Sequence, residues 1–243
     1  MSITIKQNEA PDLKMPKFTV DGELHKKLND FDVTRLMNKH NFCLFLGKAG
    51  SGKSSLAISL LQTKTMFKGV FHNVFLFAPE NSRKSIKNDF WTKNLPEEQI
   101  YDDLTMETLG AAYNMAQIDG QEGFQSLIVI DDMQSALKNM DIQKLLLHIV
   151  NNRRHARVSI WLLCQSYFTI PKMVRNSLTN LFVFKVSKND MTEIFKEQIE
   201  MDFDKFTHVL ENSFKNAHDF LFIDSSTKRL FINFDEIIFT EVV

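Results

Sequence analysis

The chain has 243 residues, 44% of them hydrophobic, with 22 phenylalanines and a formal net charge of −1. That length and apolar content suit one α/β domain with a buried core, and the near-neutral charge excludes a globally basic nucleic-acid binder, so any contact with a polyanion has to be local. The two cysteines, Cys43 and Cys164, sit in apolar runs and read as small core residues, which favours a reducing compartment over a disulfide scaffold.

Residues 1–35 are polar, carry Pro11 and Pro16, and hold only a weak strand pattern at KFTV (17–20) and a weak helical one at ELHKKL (23–28). They read as an N-terminal extension preceding a domain over 36–243. The first residues are too polar for a signal peptide, and no run reaches about 18 apolar residues, so a soluble intracellular chain without a membrane span is expected. From there the pattern changes. Apolar runs at 42–46, 73–78, 126–131, 158–164 and 181–186 are short and continuous, as strands buried on both faces are. Helical patterns lie between them at 53–62, 142–154 and 191–200, and the alternation predicts βαβ units with a mainly parallel sheet flanked by helices. The phenylalanines are expected in the core. DFLFID (219–224) and RLFINF (229–234) flank SSTK and predict a C-terminal β-hairpin.

The first two predicted elements enclose a signature. Gly47, Gly52, Lys53 and Ser54 complete G-x-x-x-x-G-K-S/T between a strand and a helix, the context in which such a loop turns its amides towards phosphate oxygens. The predicted phosphate loop is Gly47, Lys48, Ala49, Gly50, Ser51, Gly52, Lys53, Ser54 and Ser55. Lys53 reaches the β- and γ-phosphates, Ser54 ligates Mg²⁺, and Lys48 and Ser55 fill the loop and the helix. An NTPase also needs an acid at the end of another buried strand, and LIVIDD supplies Asp131 as the metal ligand and Asp132 as the group that orients or deprotonates the attacking water. Asp102 and Asp103 have no such strand before them and read as a solvated turn.

Gln165 follows the strand at 158–164; it is either an ordinary strand-end residue or a sensor of the water and γ-phosphate. Four of the seven arginines, Arg153, Arg154, Arg157 and Arg175, flank that strand. They suit either a helix C-terminus or insertion into a neighbouring subunit's phosphoryl-transfer site. The run NSRKSIKNDFWTK carries Arg83, Lys84, Lys87 and Lys93, which read either as a solvated helix face or as phosphate contacts in a pore. His148 and His155 have no cysteine or acid at ligand spacing, which excludes a zinc site. A GTPase is disfavoured because the one Asn-Lys pair, at Asn38, precedes the phosphate loop.

Together, GKAGSGKSSL, NVFLFAPE, LIVIDDM, LLCQSYFTIPKMVRNSLTNLFVFK and FLFIDSSTKRLFINFDE resemble the FtsK–HerA superfamily, over about residues 40–236. Within it they are similar to the genome-packaging ATPases of large DNA viruses and their virophages. The resemblance implies a RecA-like P-loop core that binds ATP and Mg²⁺, assembles into a homo-oligomeric ring, and drives double-stranded DNA through a pore into a capsid. Capsid or vertex proteins are the implied further partners, and the virus factory of the host cytoplasm and the virion the implied locations. Lys53, Ser54, Asp131 and Gln165 match the family's phosphate, metal, acid and sensor positions. Asp132 stands where many relatives have glutamate, and Arg175 and Arg154 are the candidates for an arginine finger. Two other readings stay open: a nucleoside or nucleotide kinase with its acceptor site in 79–125, and a non-catalytic ATP-dependent DNA-binding module of the capsid.

Overall fold

The computed structural model describes residues 2–6, 37–84, 86 and 90–240, and of residues 2–6 and 240 only the backbone. The patterns at 17–20 and 23–28, and Lys87, lie outside them. In chain order the strands are β1 (Ser2–Lys6), β2 (Phe42–Leu46), β3 (Asn73–Phe77), β4 (Ile100–Tyr101), β5 (Ser126–Asp131), β6 (Val158–Cys164), β7 (Asn180–Val183), β8 (Leu221–Asp224), β9 (Arg229–Ile232) and β10 (Asp235–Thr240). The helices are α1 (Lys53–Gln62), α2 (Glu80–Lys84), α3 (Phe90–Asn94), α4 (Met106–Gln121), α5 (Met140–Asn152), α6 (Lys172–Arg175), α7 (Lys188–Gln198) and α8 (Phe203–Ser213).

All the described strands join one sheet in the order β1-β10-β9-β8-β7-β2-β6-β5-β3-β4. From β7 to β4 every neighbour is parallel; from β7 outwards through β8, β9 and β10 to β1 every neighbour is antiparallel. The predicted parallel sheet and C-terminal hairpin are both present. The hairpin is extended beyond the sequence reading by β10 and by β1, whose pairing runs from Ser2↔Thr240 to Lys6↔Glu236. Residues 2–6 of the expected extension therefore form the sheet's outermost strand.

Side-chain alternation explains the layering. Phe42, Leu44 and Leu46 point to one face, where they pack with Leu109 and Ala112 of α4, Leu146 and Ile149 of α5, Ile194 of α7 and Phe206 of α8. Cys43 and Phe45 point to the other, with Leu56 and Leu60 of α1 and Trp91 of α3. A strand covered on both faces cannot alternate polar and apolar residues, which is why β2, β5 and β6 are buried throughout. The α1 face is rich in aromatic rings. Phe45 stacks on Phe182 at 4.7 Å between centroids, and Phe182 on Phe222 at 4.7 Å. Each fully buried phenylalanine contributes roughly 1.5–3 kcal/mol over exposure, so this stack ties the antiparallel half of the sheet to the strand that carries the phosphate loop.

Candidate nucleotide site

The central position of β2, between β6 and β7, decides where the phosphate loop lies. The loop leaves β2 at Leu46, and the Gly47 amide donates to the Cys164 carbonyl at 3.1 Å, so the loop starts beside the end of β6. On the β7 side the Phe184 amide donates to the Leu46 carbonyl at 2.8 Å. A Cβ at Gly47 would meet Ser51 Oγ at 2.5 Å and Phe184 Cβ at 2.8 Å, so no larger residue fits there without moving the loop. Lys48, Ala49 and Gly50 are exposed at the tip, with Ser51 and Gly52 half-buried behind them. Gly52 is the N-cap of α1 at φ 107°, a conformation that disfavours a side chain. The amides that open α1 have no preceding helical carbonyl to meet, and with the helix dipole they form an anion cradle.

Lys53 is 8% exposed and donates from Nζ to the carbonyls of Gly47 at 2.8 Å and Lys48 at 3.0 Å. Burial pulls its ammonium pKa down, against the pull of Asp131 and Asp132. Ser54 Oγ donates to Asp131 Oδ2 at 2.7 Å, joining the loop's helix to the end of β5. Burial pushes the Asp131 carboxyl up to about 6, opposed by the Ser54 hydrogen bond and Lys53 and reinforced by Asp132. A carboxylate this costly to ionise alone is one that a cation would stabilise. Two oxygens from the chain, with phosphates and water, suit Mg²⁺, which keeps much of its hydration shell. Ser55 is half-buried on α1, one residue beyond that pair.

Asp132 turns out of the strand with φ 57°, a left-handed conformation that aspartate tolerates better than most residues. Its Oδ1 accepts from Gln165 Nε2 at 3.1 Å and its Oδ2 from Ser82 Oγ of α2 at 3.3 Å. The acid and the polar residue predicted from two different strand ends thus meet in one hydrogen bond. Buried Cys164 lies beside them, its thiol pushed by burial to about 12, and serves as packing.

The arginines separate. Arg175 is 5% exposed, and its guanidinium binds Glu197 through Nε to Oε2 at 2.9 Å and Nη2 to Oε1 at 2.8 Å. It also donates from Nη1 to the Ile170 and Tyr167 carbonyls at 3.1 and 3.4 Å, and lies 4.5 Å from the Tyr167 ring centroid. This corrects the expectation of a finger at Arg175: the guanidinium is buried, and four of its five N–H donors are used inside its own subunit. Arg153 is likewise held by the carbonyls of His40 and Val150, and Arg157 by that of Gly123. Arg154 is exposed, and its side chain has no hydrogen bond or ion pair with the described residues. It precedes β6, which runs parallel to β2, so it lies at the end of the strands opposite the phosphate loop.

Of the basic run, Arg83 is tied to the Ala78 carbonyl and to Asp102, and Lys84 pairs with Glu80. Lys93 is exposed on α3. Among the described residues no cluster of histidine, cysteine and acidic groups is arranged to hold a metal, and no helix is long and apolar enough to cross a membrane. The sequence reading missed His218, whose Nδ1 lies 3.0 Å from the Ser51 carbonyl; its only signal was a polar residue just before the hairpin.

A family model described as "Poxvirus A32 protein" matches residues 28–236, most of the chain. The chain belongs to the poxvirus A32 protein family. The DNA packaging protein OPG160 of Variola virus is 25% identical over 156 residues, 62% of this chain and 55% of that protein. Its counterpart in Vaccinia virus (strain Copenhagen) is 23% identical over 155 residues, with the same coverage. The chain thus spans about half the length of these relatives. Among solved structures, the genome packaging NTPase B204 from Sulfolobus turreted icosahedral virus 2, in complex with ATP-gammaS, superposes with a TM-score of 0.60 at 15% identity, covering 81% of this chain and 98% of that one. The sheet order and phosphate loop of this A32-family chain are those of a P-loop NTPase, as the resemblance implied.

Proposed function

We propose that this chain is an ATP-hydrolysing translocase that packages a double-stranded DNA viral genome into a capsid. The observation that carries the reading is the paired geometry at two strand ends, Ser54 bonded to Asp131 and Gln165 bonded to Asp132, around a complete phosphate loop. The names of the A32-family relatives and of the B204 structure supply the packaging role. Residues 36–243 are the ATPase domain, to whose sheet the extension over 1–35 adds a strand.

In this reading the loop amides and the Lys53 ammonium bind the phosphates of ATP, with Ser54 and Asp131 holding Mg²⁺. The metal supplies charge neutralisation on the phosphate oxygens. Asp132 accepts the proton of the attacking water. Gln165 holds that carboxylate in place and registers the loss of the γ-phosphate. Gly47 and Gly52 keep the cradle tight, and Lys48, Ala49, Gly50, Ser51 and Ser55 complete its wall. Copies of the chain form a ring in which Arg154, exposed at the opposite end of the strands, enters the neighbouring site. DNA runs past Lys84 and Lys93, capsid or vertex proteins anchor the ring, and the protein works in the virus factory of the host cytoplasm and in the virion.

The test is the ATPase rate with and without double-stranded DNA, for the native chain and for Lys53→Ala, alongside the mass in solution. Hydrolysis stimulated by DNA, abolished by the substitution and accompanied by an oligomeric mass, is expected. Hydrolysis that survives Lys53→Ala refutes the site. Phosphate transfer to a nucleoside without stimulation by DNA identifies a kinase instead.

A further inference from the structure

The loop between α8 and β8 reaches across to the phosphate loop. Its tip, Asn216–Asp219, is a hydrogen-bonded turn. Asp219 is 5% exposed; its Oδ2 accepts from the Asn216 amide at 2.7 Å, and its Oδ1 from Asn233 Nδ2 at 3.3 Å. Asn233, in the turn after β9, in turn accepts from the Phe220 amide at 3.1 Å. His218 stands on this platform at φ 70°, its ring against Gly52, where a Cβ would lie 3.3 Å from Nδ1. Nδ1 is 3.0 Å from the Ser51 carbonyl oxygen. A carbonyl can only accept, so Nδ1 carries the proton and His218 is the donor.

The consequence follows from peptide geometry. In a trans peptide the C=O of one residue and the N–H of the next point in opposite directions. Holding the Ser51 carbonyl towards His218 therefore aims the Gly52 N–H the opposite way, away from that ring. That peptide plane needs holding because Gly52, at φ 107°, resists rotation less than any other residue. A flipped plane would present a carbonyl oxygen to the phosphates in place of an amide.

We infer that His218 is a positioning residue that fixes the Ser51–Gly52 peptide so that its amide faces the diphosphate of the bound nucleotide, linking the antiparallel half of the sheet to the phosphate loop. The inference rests on the phosphate-binding reading of that loop, which Lys53→Ala tests separately. Loss of the tether weakens ADP and ATP alike, because such a loop cradles the inner phosphates, and leaves kcat within about 2-fold. One hydrogen bond of this kind corresponds to about 3- to 10-fold in affinity.

The experiment is the Kd for ADP and for ATP of His218→Ala, His218→Asn and His218→Gln, with the kcat of each. Asparagine places an N–H near the position of Nδ1 and accepts a positive φ; glutamine carries its donor one carbon further out. Expected are the stated loss in His218→Ala and His218→Gln and near-native affinity in His218→Asn. If His218→Ala does not fold, the contrast between asparagine and glutamine decides alone. Native affinity in His218→Ala or His218→Gln, or equal losses in asparagine and glutamine, overturns the inference, as does a loss confined to ATP. When Lys53→Ala abolishes binding and the His218 variants do not weaken it, the role of His218 fails and the phosphate site stands.

Discussion

Arg175 and Glu197 give the sharpest prediction, because their side chains are both 6% exposed and bound bidentately. Arg175→Met leaves the Glu197 carboxylate buried with only the Tyr167 hydroxyl, at 2.9 Å, and the Lys172 ammonium, at 3.7 Å, beside it. It also strips a donor from the Tyr167 and Ile170 carbonyls. Breaking one side of a buried pair costs about 3–5 kcal/mol, a large part of the roughly 5–15 kcal/mol that holds a domain folded. At about 2–4 °C per kcal/mol for a chain of this size, the melting temperature should fall by roughly 6–20 °C. Removing both charges, as Arg175→Met with Glu197→Met, should restore at least half of that loss; the remainder is the lost guanidinium bonds to the Ile170 carbonyl and to the Tyr167 carbonyl, which keeps the Ile170 amide. Thermal unfolding of both variants and the native chain measures this, and DNA-stimulated ATPase activity of the double variant gives the second readout. A loss below about 1 kcal/mol in the single variant refutes the buried-pair argument. A stable double variant as inactive as Lys53→Ala refutes the structural assignment and returns Arg175 to the catalytic site.

The same carboxyl sets a pH dependence. Burial pushes Glu197 up, but its hydrogen bonds from Arg175 and Tyr167 and the charges of Arg175 and Lys172 outweigh that and hold it below the ordinary range. Its contribution is therefore present above the unfolded value of about 4.3 and lost as pH falls through the lower folded value. The gap in urea midpoint between the native chain and Glu197→Gln should shrink below about pH 4, and a gap that stays constant into stronger acid contradicts the ion pair. In α4, a Cβ at Gly120 would sit 2.5 Å from the Ala156 carbonyl oxygen, while one at Gly110 meets nothing within 4 Å. Gly110→Ala should stabilise by about 0.5–1 kcal/mol, and Gly120→Ala should destabilise by about 1–3 kcal/mol despite the better helix propensity; equal melting temperatures for the two variants would show that the backbone contact yields.

The phosphate loop was legible because its signature is local: the residues that turn the chain and those that bind phosphate fall within one short stretch. The runs at 42–46, 126–131 and 158–164 coincide with β2, β5 and β6, since strands buried on both faces leave unbroken apolar sequence. Asp131, Asp132 and Gln165 were legible as polar residues at the ends of such runs, although the bond between the last two depends on the sheet order. Arg175 was misread for a corresponding reason. Whether an arginine is exposed or buried depends on its partners, and Glu197 lies on another helix. The helix α4 was passed over because Gly110, Gly120 and scattered polar residues break its apolar stripe. His218 could not be found at all, since only the folded sheet brings the hairpin's approach loop to Gly52.

The pairing of β1 with β10 has a consequence in time. Ser2 meets Thr240 and Lys6 meets Glu236, so β1 has no partner until β10, far along the sequence, has also been synthesised. Contacts so distant along the chain form late and slowly. The parallel core with its nucleotide loop can assemble while that edge is still open, and the edge should close last on folding and open first on unfolding. Amide exchange should show this order, with residues 2–6 and 236–240 exchanging well before β2 and β6.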